Sequence, residues 1–370
     1  MNWKIRYSDF QSQFRKIESQ MMGTIHRVLS RGDLLEGNQR KEFEEALSQW
    51  TGTNHAFALS RCSDAVTVAL QVCGIGSGDD VIASCGGINS VVPAIIECGA
   101  RPVLVDVGDD HLMDPQQVAA AISPQTKAIV PVHANGHCAD MKAICEIAQQ
   151  NDCCVIEDAT SGLGANLCGK PVGSFGTVAV FDLGSTSMLS GLGDAGAVVT
   201  SDEEMAARLA GLCGEHTPDS RGGRKCLNNL QAAVLELKLK HLPDDLRRRR
   251  ELAEIYHRAL RNVSAVRAPL PPTEDGYRFD VFHRYEIHTP FRNDQSEFLT
   301  SRGVQHELPQ PLSRMASNSE AHESRPISRQ LQKTGLFLPL HAEMTNENVE
   351  FVVQCVDQFH RTRKEQNRAA

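Results

Sequence analysis

Phe181-Asp182-Leu183-Gly184-Ser185-Thr186-Ser187-Met188-Leu189-Ser190-Gly191-Leu192-Gly193-Asp194-Ala195-Gly196-Ala197 is the stretch that decides the fold. Thr177-Val178-Ala179-Val180 precedes it and Ala197-Val198-Val199-Thr200 closes it, with small and polar residues between. It therefore reads as a strand, a loop suited to a ligand lying close to the backbone, and a return strand. The sequence has no lysine between Lys170 and Lys225.

Working outward, the chain from Ala56 to Thr200 alternates short apolar strands with helices. Ala56-Phe57-Ala58-Leu59 leads to a helix from Asp64 to Gly74, Val81-Ile82-Ala83 to one from Ser90 to Cys98, and Pro102 to Val107 to one from Pro115 to Ile122. Ala128 to Val132 leads to a helix from Met141 to Gln149, and Cys154-Val155-Ile156 ends on Glu157-Asp158. Such alternation implies crossover connections, a mostly parallel sheet with helices on both faces, and a ligand site at the carboxyl ends of the strands. Ser60 to Ser63, His133 to His137, Asp158 to Leu163 and the opening stretch fall at those ends and are expected to converge.

Residues 1–34 form an N-terminal arm with a loose helical pattern (Phe14, Ile17, Met21, Ile25, Val28, Leu29), packing on the body or on a second subunit. Residues 35–242 form the large α/β domain. Residues 243–370 form a smaller α+β domain with an interdomain helix, the pattern predicting one helix from Leu227 to Leu242 and another from Pro243 to Leu260. Arg361 to Ala370 reads as a frayed polar tail.

With 370 residues, 41% hydrophobic and 23% charged, the composition is that of an ordinary globular protein, and no apolar run of membrane-spanning length occurs. The charged start, Met1-Asn2-Trp3-Lys4-Ile5-Arg6, lacks the pattern of a leader, which places the expectation in the cytoplasm without a membrane partner. A net charge of -8 argues against nucleic acid, and the basic run Arg247 to Arg250 reads as a solvated helix face. The twelve cysteines lie scattered in apolar segments with no CxxC pair, so they read as buried thiols, and no metal site is expected.

Several phrases in register from Gly37 to Phe359 resemble the DegT/DnrJ/StrS sugar-nucleotide aminotransferases, fold-type-I pyridoxal-phosphate enzymes. They are Gly74-Ile75-Gly76-Ser77-Gly78-Asp79-Asp80-Val81-Ile82, Gly99-Ala100-Arg101-Pro102-Val103, Thr126-Lys127-Ala128-Ile129-Val130-Pro131-Val132-His133, Ile156-Glu157-Asp158-Ala159, Gly193-Asp194-Ala195-Gly196-Ala197 and Leu230-Gln231-Ala232-Ala233. The resemblance implies a seven-stranded-type sheet with a small C-terminal α+β domain, and a homodimer, with an active paralogue as an alternative partner. Counting from Phe181 and from Gly193-Asp194 without a gap, it sets Ser187 at the position of the Schiff-base lysine. A serine hydroxyl neither forms the internal aldimine nor carries the proton of the 1,3-shift.

The same register changes other cofactor positions. Asp182 stands where the family has a phosphate-binding serine, Cys62-Ser63 where a Gly-Thr pair opens the phosphate helix, and Ile88 where an aromatic ring stacks on the pyridine. Ser161 and Leu163 replace a Gln and a His after the acidic pair. Asp158 keeps the aspartate that faces the pyridine nitrogen, and His133 is as in relatives. Arg224 replaces an asparagine that reaches the partner subunit's phosphate, which leads to the expectation that Asp182 and Arg224 pair across a dimer interface.

The expectation for cofactor is therefore no covalent attachment, with pyridoxal or pyridoxamine phosphate bound, if at all, non-covalently. The leading functional reading is a pseudoenzyme or a nucleotide-sugar-binding scaffold. Two others stay open: a lyase or isomerase step using Asp158, His133 and Ser187 as acid-base candidates, and the pyridoxal-phosphate-dependent transamination of the family.

Overall fold

Apolar residues alternate along each central strand, and this alternation builds two core layers. The computed structural model describes residues 3–35, 37–85, 91–213, 225–273, 276–310 and 325–369. On the strand Asp80–Ser84, Val81 and Ala83 face one layer and Ile82 the other; on Thr126–Val130, Ala128 and Val130 share the first and Ile129 the second. Both faces are thus covered by helices, as a sheet made of crossovers requires.

The strands of the main sheet are β1 (His55–Leu59), β2 (Asp80–Ser84), β3 (Arg101–Val105), β4 (Thr126–Val130) and β5 (Cys154–Asp158); after the short pieces β6 (Asn166–Leu167) and β7 (Lys170–Pro171) come β8 (Val178–Asp182) and β9 (Gly196–Thr200). Their order is β1-β9-β8-β5-β4-β2-β3, a seven-stranded sheet. β3, β2, β4, β5 and β8 run parallel, while β9 is antiparallel to both β8 and β1. β1 therefore points the same way as β5 and β8. The pairing Phe181 with Ala197 and Asp182 with Gly196 closes the opening stretch as a strand, loop and return strand.

The covering helices are α1 (Phe10–Arg31), α2 (Asn38–Thr51), α3 (Cys62–Val72), α4 (Val91–Glu97), α5 (Pro115–Ala121), α6 (Met141–Gln150) and α7 (Glu203–Cys213). In α6, Met141, Ile144 and Ala148 form the buried stripe, and Asp140 caps its start by accepting from Ala143 N at 3.1 Å. A long α8 (Asn229–Leu260) crosses to the small domain, which holds β10 (Arg278–Phe279), β11 (Tyr285–His288), α9 (Arg292–Ser301), α10 (Pro326–Thr334), β12 (Gly335–Leu338) and α11 (Asn346–Ala369). β11 and β12 pair antiparallel over a core that includes Tyr256, Phe282, Tyr285 and Val352. The arm helix α1 packs Ile17 and Met21 on Val234 of α8.

Three expectations change. The predicted break at Leu242/Pro243 is absent: Pro243 lies inside α8, so the boundary drawn at residue 242 falls within one helix. Proline forfeits one ladder bond there, but Leu239, Leu242 and Leu246 are buried on the body and hold the turn. The tail is helical through Ala369; Arg361 pairs with Asp357 at 2.7 Å and Arg363 with Asp294 at 2.6 Å.

Half of the basic run is a clamp and not a solvated face: Arg247 stays exposed, but Arg249 and Arg250 turn inward. Arg249 donates to the carbonyls of Phe282, His283 and Leu340, and Arg250 to those of Asp280 and Thr273. Guanidinium groups have the donors to satisfy several loop carbonyls at once, so this run fixes the start of β11 against α8.

Candidate functional site

The carboxyl ends of β1, β5 and β8 lie on one edge of the sheet and bring together Cys62, Asp158 and Asp182. The thiol of Cys62, the first residue of α3, is pushed well above its ordinary range, first by burial and then by the carboxylates of Asp182 and Asp158. These groups are close enough to feel one another, as the sequence reading expected. Ser63 is exposed in the first turn of α3. Gly196 makes the approach possible, because a Cβ there would lie 2.7 Å from Cys62 Cα.

Asp158 ends β5 and is buried; its Oδ1 accepts from Thr160 Oγ1 at 2.7 Å and from Thr160 N at 3.3 Å. Glu157, its neighbour, points to the opposite face, as strand alternation demands. There it accepts from the backbone N–H groups of Gly173, Phe175 and Gly176 and from His133 Nε2 at 3.0 Å. His133 Nδ1 accepts from Ala139 N at 3.2 Å, so both ring nitrogens are committed. His133 is a fully buried structural histidine on the Glu157 face, and the acid-base role considered for it does not fit this placement.

Asp182 caps its own loop, accepting from Gly184 N at 2.9 Å. Ser187 sits half-buried in a turn closed by its N–H to Gly184 O at 3.0 Å. Gln231 of α8 holds the far side by accepting from Leu192 N at 2.7 Å, which gives the Leu230-Gln231 phrase a physical reason. A lysine does reach this loop from α8: Lys238 Nζ donates to Ser190 O at 2.7 Å and to Gln13 Oε1 at 3.1 Å. Its ammonium is spent on fastening the loop to the arm helix.

His283 joins the site with no pattern in the sequence to mark it. Held by Arg249 through its carbonyl, it places its ring between two of the site loops, Nδ1 lying 3.0 Å from Ser161 Oγ with Thr186 backbone as a further partner. Burial, with Arg284 and Arg249 nearby, pushes its pKa down to about 3, so the ring is neutral. A lone histidine at the start of a strand gives no sequence signal for this. Leu163 is buried behind the loop. Ile88 and Arg224 lie outside the described residues, as does the expected pairing of Arg224 with Asp182.

The His133 to His137 segment departs from the expected convergence. Asn135 and His137 line a separate cavity of about 320 Å³ against the small domain, with His111, Arg267, Arg284, Glu286 and His288.

Residues 15–357 match the DegT/DnrJ/EryC1/StrS aminotransferase family. The chain belongs to this family. A relative from Geobacillus stearothermophilus, a pleiotropic regulatory protein, is 32% identical over 95% of this chain and 98% of its own. A Streptomyces venezuelae dTDP-3-amino-3,4,6-trideoxy-alpha-D-glucose transaminase is 30% identical, with 96% of each chain covered. Among solved structures, S. venezuelae DesV in complex with a ketimine intermediate superposes with a TM-score of 0.90 at 29% identity, covering 96% of this chain and 98% of that one. Bacillus subtilis NtdA with bound PMP superposes with a TM-score of 0.84 at 25% identity, covering 96% and 83%. The fold is thus that of the sugar aminotransferases. Among the described residues, no helix is long and apolar enough to cross a membrane.

Family members and structural neighbours such as NtdA hold pyridoxal or pyridoxamine phosphate. In this chain Asp158 offers a buried carboxylate at the end of β5, suited to a protonated pyridine nitrogen, and the α3 N-terminus, which would welcome an anion, has the Asp182 carboxylate and the Cys62 thiol beside it. The loop between β8 and β9 holds no amine of its own.

Proposed function

We propose that this chain is a sugar-aminotransferase relative without a Schiff-base amine, serving as a nucleotide-sugar-binding scaffold or as the partner of an active family member. The observation that carries the reading is the loop from Phe181 to Ala197. Its two ends are fixed by the Phe181 and Ala197 pairing and it spans the strand–loop–strand unit without a lysine; the resemblance to the family, counted from either end, sets Ser187 at the amine's position.

The residues around it support the same conclusion. Among the described residues Ser187 has no base bonded to its hydroxyl, Asp158 is capped by Thr160, and His133 is locked to Glu157. What remains is a set of strand ends and loops backed by a neutral His283, with polar groups that can bind and orient a polar ligand.

Pyridoxal-phosphate-dependent transamination is the second reading, and the activity of the S. venezuelae transaminase and the PMP bound in NtdA favour it. The regulatory name of the Geobacillus relative favours the first. One pair of measurements separates them. With added pyridoxal phosphate, the purified full-length protein is expected to give no cofactor absorption band that survives dialysis, while a panel of nucleotide sugars raises its melting temperature. A ligand at 100 times its Kd stabilises by about 2.7 kcal/mol, which such a scan resolves. A dialysis-stable band with turnover of a keto-sugar nucleotide would overturn the proposal.

A further inference from the structure

The cavity against the small domain contains a cluster that the transaminase-like site does not use. His111 follows β3 in the large domain, and Glu286 and His288 project from β11, so the three meet across the domain boundary. His111 Nε2 lies 3.0 Å from His288 Nε2 and 3.2 Å from Glu286 Oε2, and one donor atom from each residue falls within 4.8 Å of the others.

We propose that His111, Glu286 and His288 form a binding site for a divalent cation of the zinc type, with a fourth position open to water from the cavity. Two imidazoles and a carboxylate are the donor set of many open zinc sites. Tetrahedral bonds of about 2.0–2.1 Å put neighbouring ligand atoms roughly 3.3 Å apart, close to the 3.0 and 3.2 Å seen here.

The hydrogen bonds around the cluster set the ligands up. Thr334 Oγ1 donates to Gln330 O at 2.9 Å, so its lone pairs face His288 Nδ1 at 3.0 Å. His288 must then carry its proton on Nδ1, leaving the Nε2 lone pair aimed at the other two residues. This is how second-sphere groups orient a metal-binding histidine. Asn135 Nδ2 donates to Glu286 Oε2 at 2.9 Å, fixing the carboxylate.

One feature calls for a positive charge. Glu286 is buried, and its Oε1 has no hydrogen-bond partner; an unmatched buried carboxylate oxygen is costly. His111 holds a left-handed backbone, φ 67°, which fixes the approach of its ring to β11. Arg267, Arg278 and Arg284 line the same cavity and oppose a cation, but Asp109 and Asp110 line it too, with Asp109 pairing to Arg267 at 3.6 Å and Asp280 to Arg278 at 3.2 Å. Counted over these six, the charges cancel, which leaves Glu286 to attract the ion.

A bare hydrogen-bond network, with His111 donating to its neighbours, is the competing account. Titration calorimetry of the full chain, stripped with EDTA and then given Zn2+, distinguishes the two. One equivalent is expected to bind, with affinity falling at least about 100-fold in His111→Asn and His288→Gln, and about 10- to 100-fold in Thr334→Val. Asn is chosen at 111 because it tolerates the left-handed backbone. Co2+ loading is expected to give a spectrum free of thiolate charge transfer, and Cys168→Ser, which alters an exposed thiol, is expected to bind as the parent does. No stoichiometric binding by the parent protein, binding unchanged in both histidine variants, or a thiolate signature lost with a cysteine would each overturn the proposal.

Discussion

Replacing Asp182 with serine asks directly whether the phosphate end of the cleft has been closed to pyridoxal phosphate. Asp182 stands at the end of β8, within electrostatic reach of Cys62 at the start of α3. A carboxylate about 4 Å from one phosphate charge costs roughly 4 kcal/mol at an effective dielectric near 20. Asp182 is half-buried, so solvent screening brings the figure to about 2 to 4 kcal/mol. A factor of ten per about 1.4 kcal/mol then predicts that Asp182→Ser binds pyridoxamine phosphate about 30- to 1,000-fold more tightly than the parent. Serine can still accept from Gly184 N, so the loop cap survives the change. Equilibrium dialysis with pyridoxamine phosphate measures the ratio, and circular dichroism checks the fold. Equal affinities for parent and variant, or a parent that already binds in the nanomolar range, would refute the reasoning.

Ser187→Lys alone is expected to leave transamination undetectable, because the phosphate end stays hostile, whereas Ser187→Lys with Asp182→Ser is expected to regain a cofactor band; coupled assay and absorbance scans read both. Arg249→Met removes a buried guanidinium bonded to the carbonyls of Phe282, His283 and Leu340, and about 3–5 kcal/mol of stability is expected to go with it in denaturant titration. His283 has a folded pKa pushed below its unfolded value of 6.5 to about 3, so its neutral form stabilises the fold fully above about pH 6.5. That contribution is lost as pH falls from 6.5 toward 3, at up to about 1.4 kcal/mol per unit. His283→Gln is expected to flatten the acid limb of a stability-versus-pH curve by about 1–2 kcal/mol near pH 5.

The strand and helix alternation was legible because Val81-Ile82-Ala83 and Ala128-Ile129-Val130 carry their own burial pattern, and the crossover rule then orders the sheet. What local patterns could not show is decided by tertiary partners. Pro243 signals a helix end, yet Leu242 and Leu246 bury on the body and carry α8 through it. Arg247 to Arg250 has the composition of a wet face, and only the carbonyls of Asp280 to His283 and of Leu340 explain why Arg249 and Arg250 point inward. At the site, Asp158, Asp182 and Cys62 were readable because they end strands or begin a helix. His133 falls on the structural side of its two readings because a one-residue step along β5 separates the Glu157 face, to which it is bonded, from the Asp158 face. His283 and the His111, Glu286 and His288 cluster come from segments about 120 or more residues apart from their neighbours in the chain, beyond any spacing rule.

The proposed function requires that no lysine of this chain hold pyridoxal phosphate. Incubating the full-length protein with pyridoxal phosphate, reducing with borohydride and mapping tryptic peptides by mass spectrometry tests it directly. No stoichiometric pyridoxyl-lysine is expected in the native protein, with Lys238 and Lys225 modified no more than in the denatured control. A single lysine carrying one equivalent of pyridoxyl group, protected by a nucleotide sugar, would contradict it.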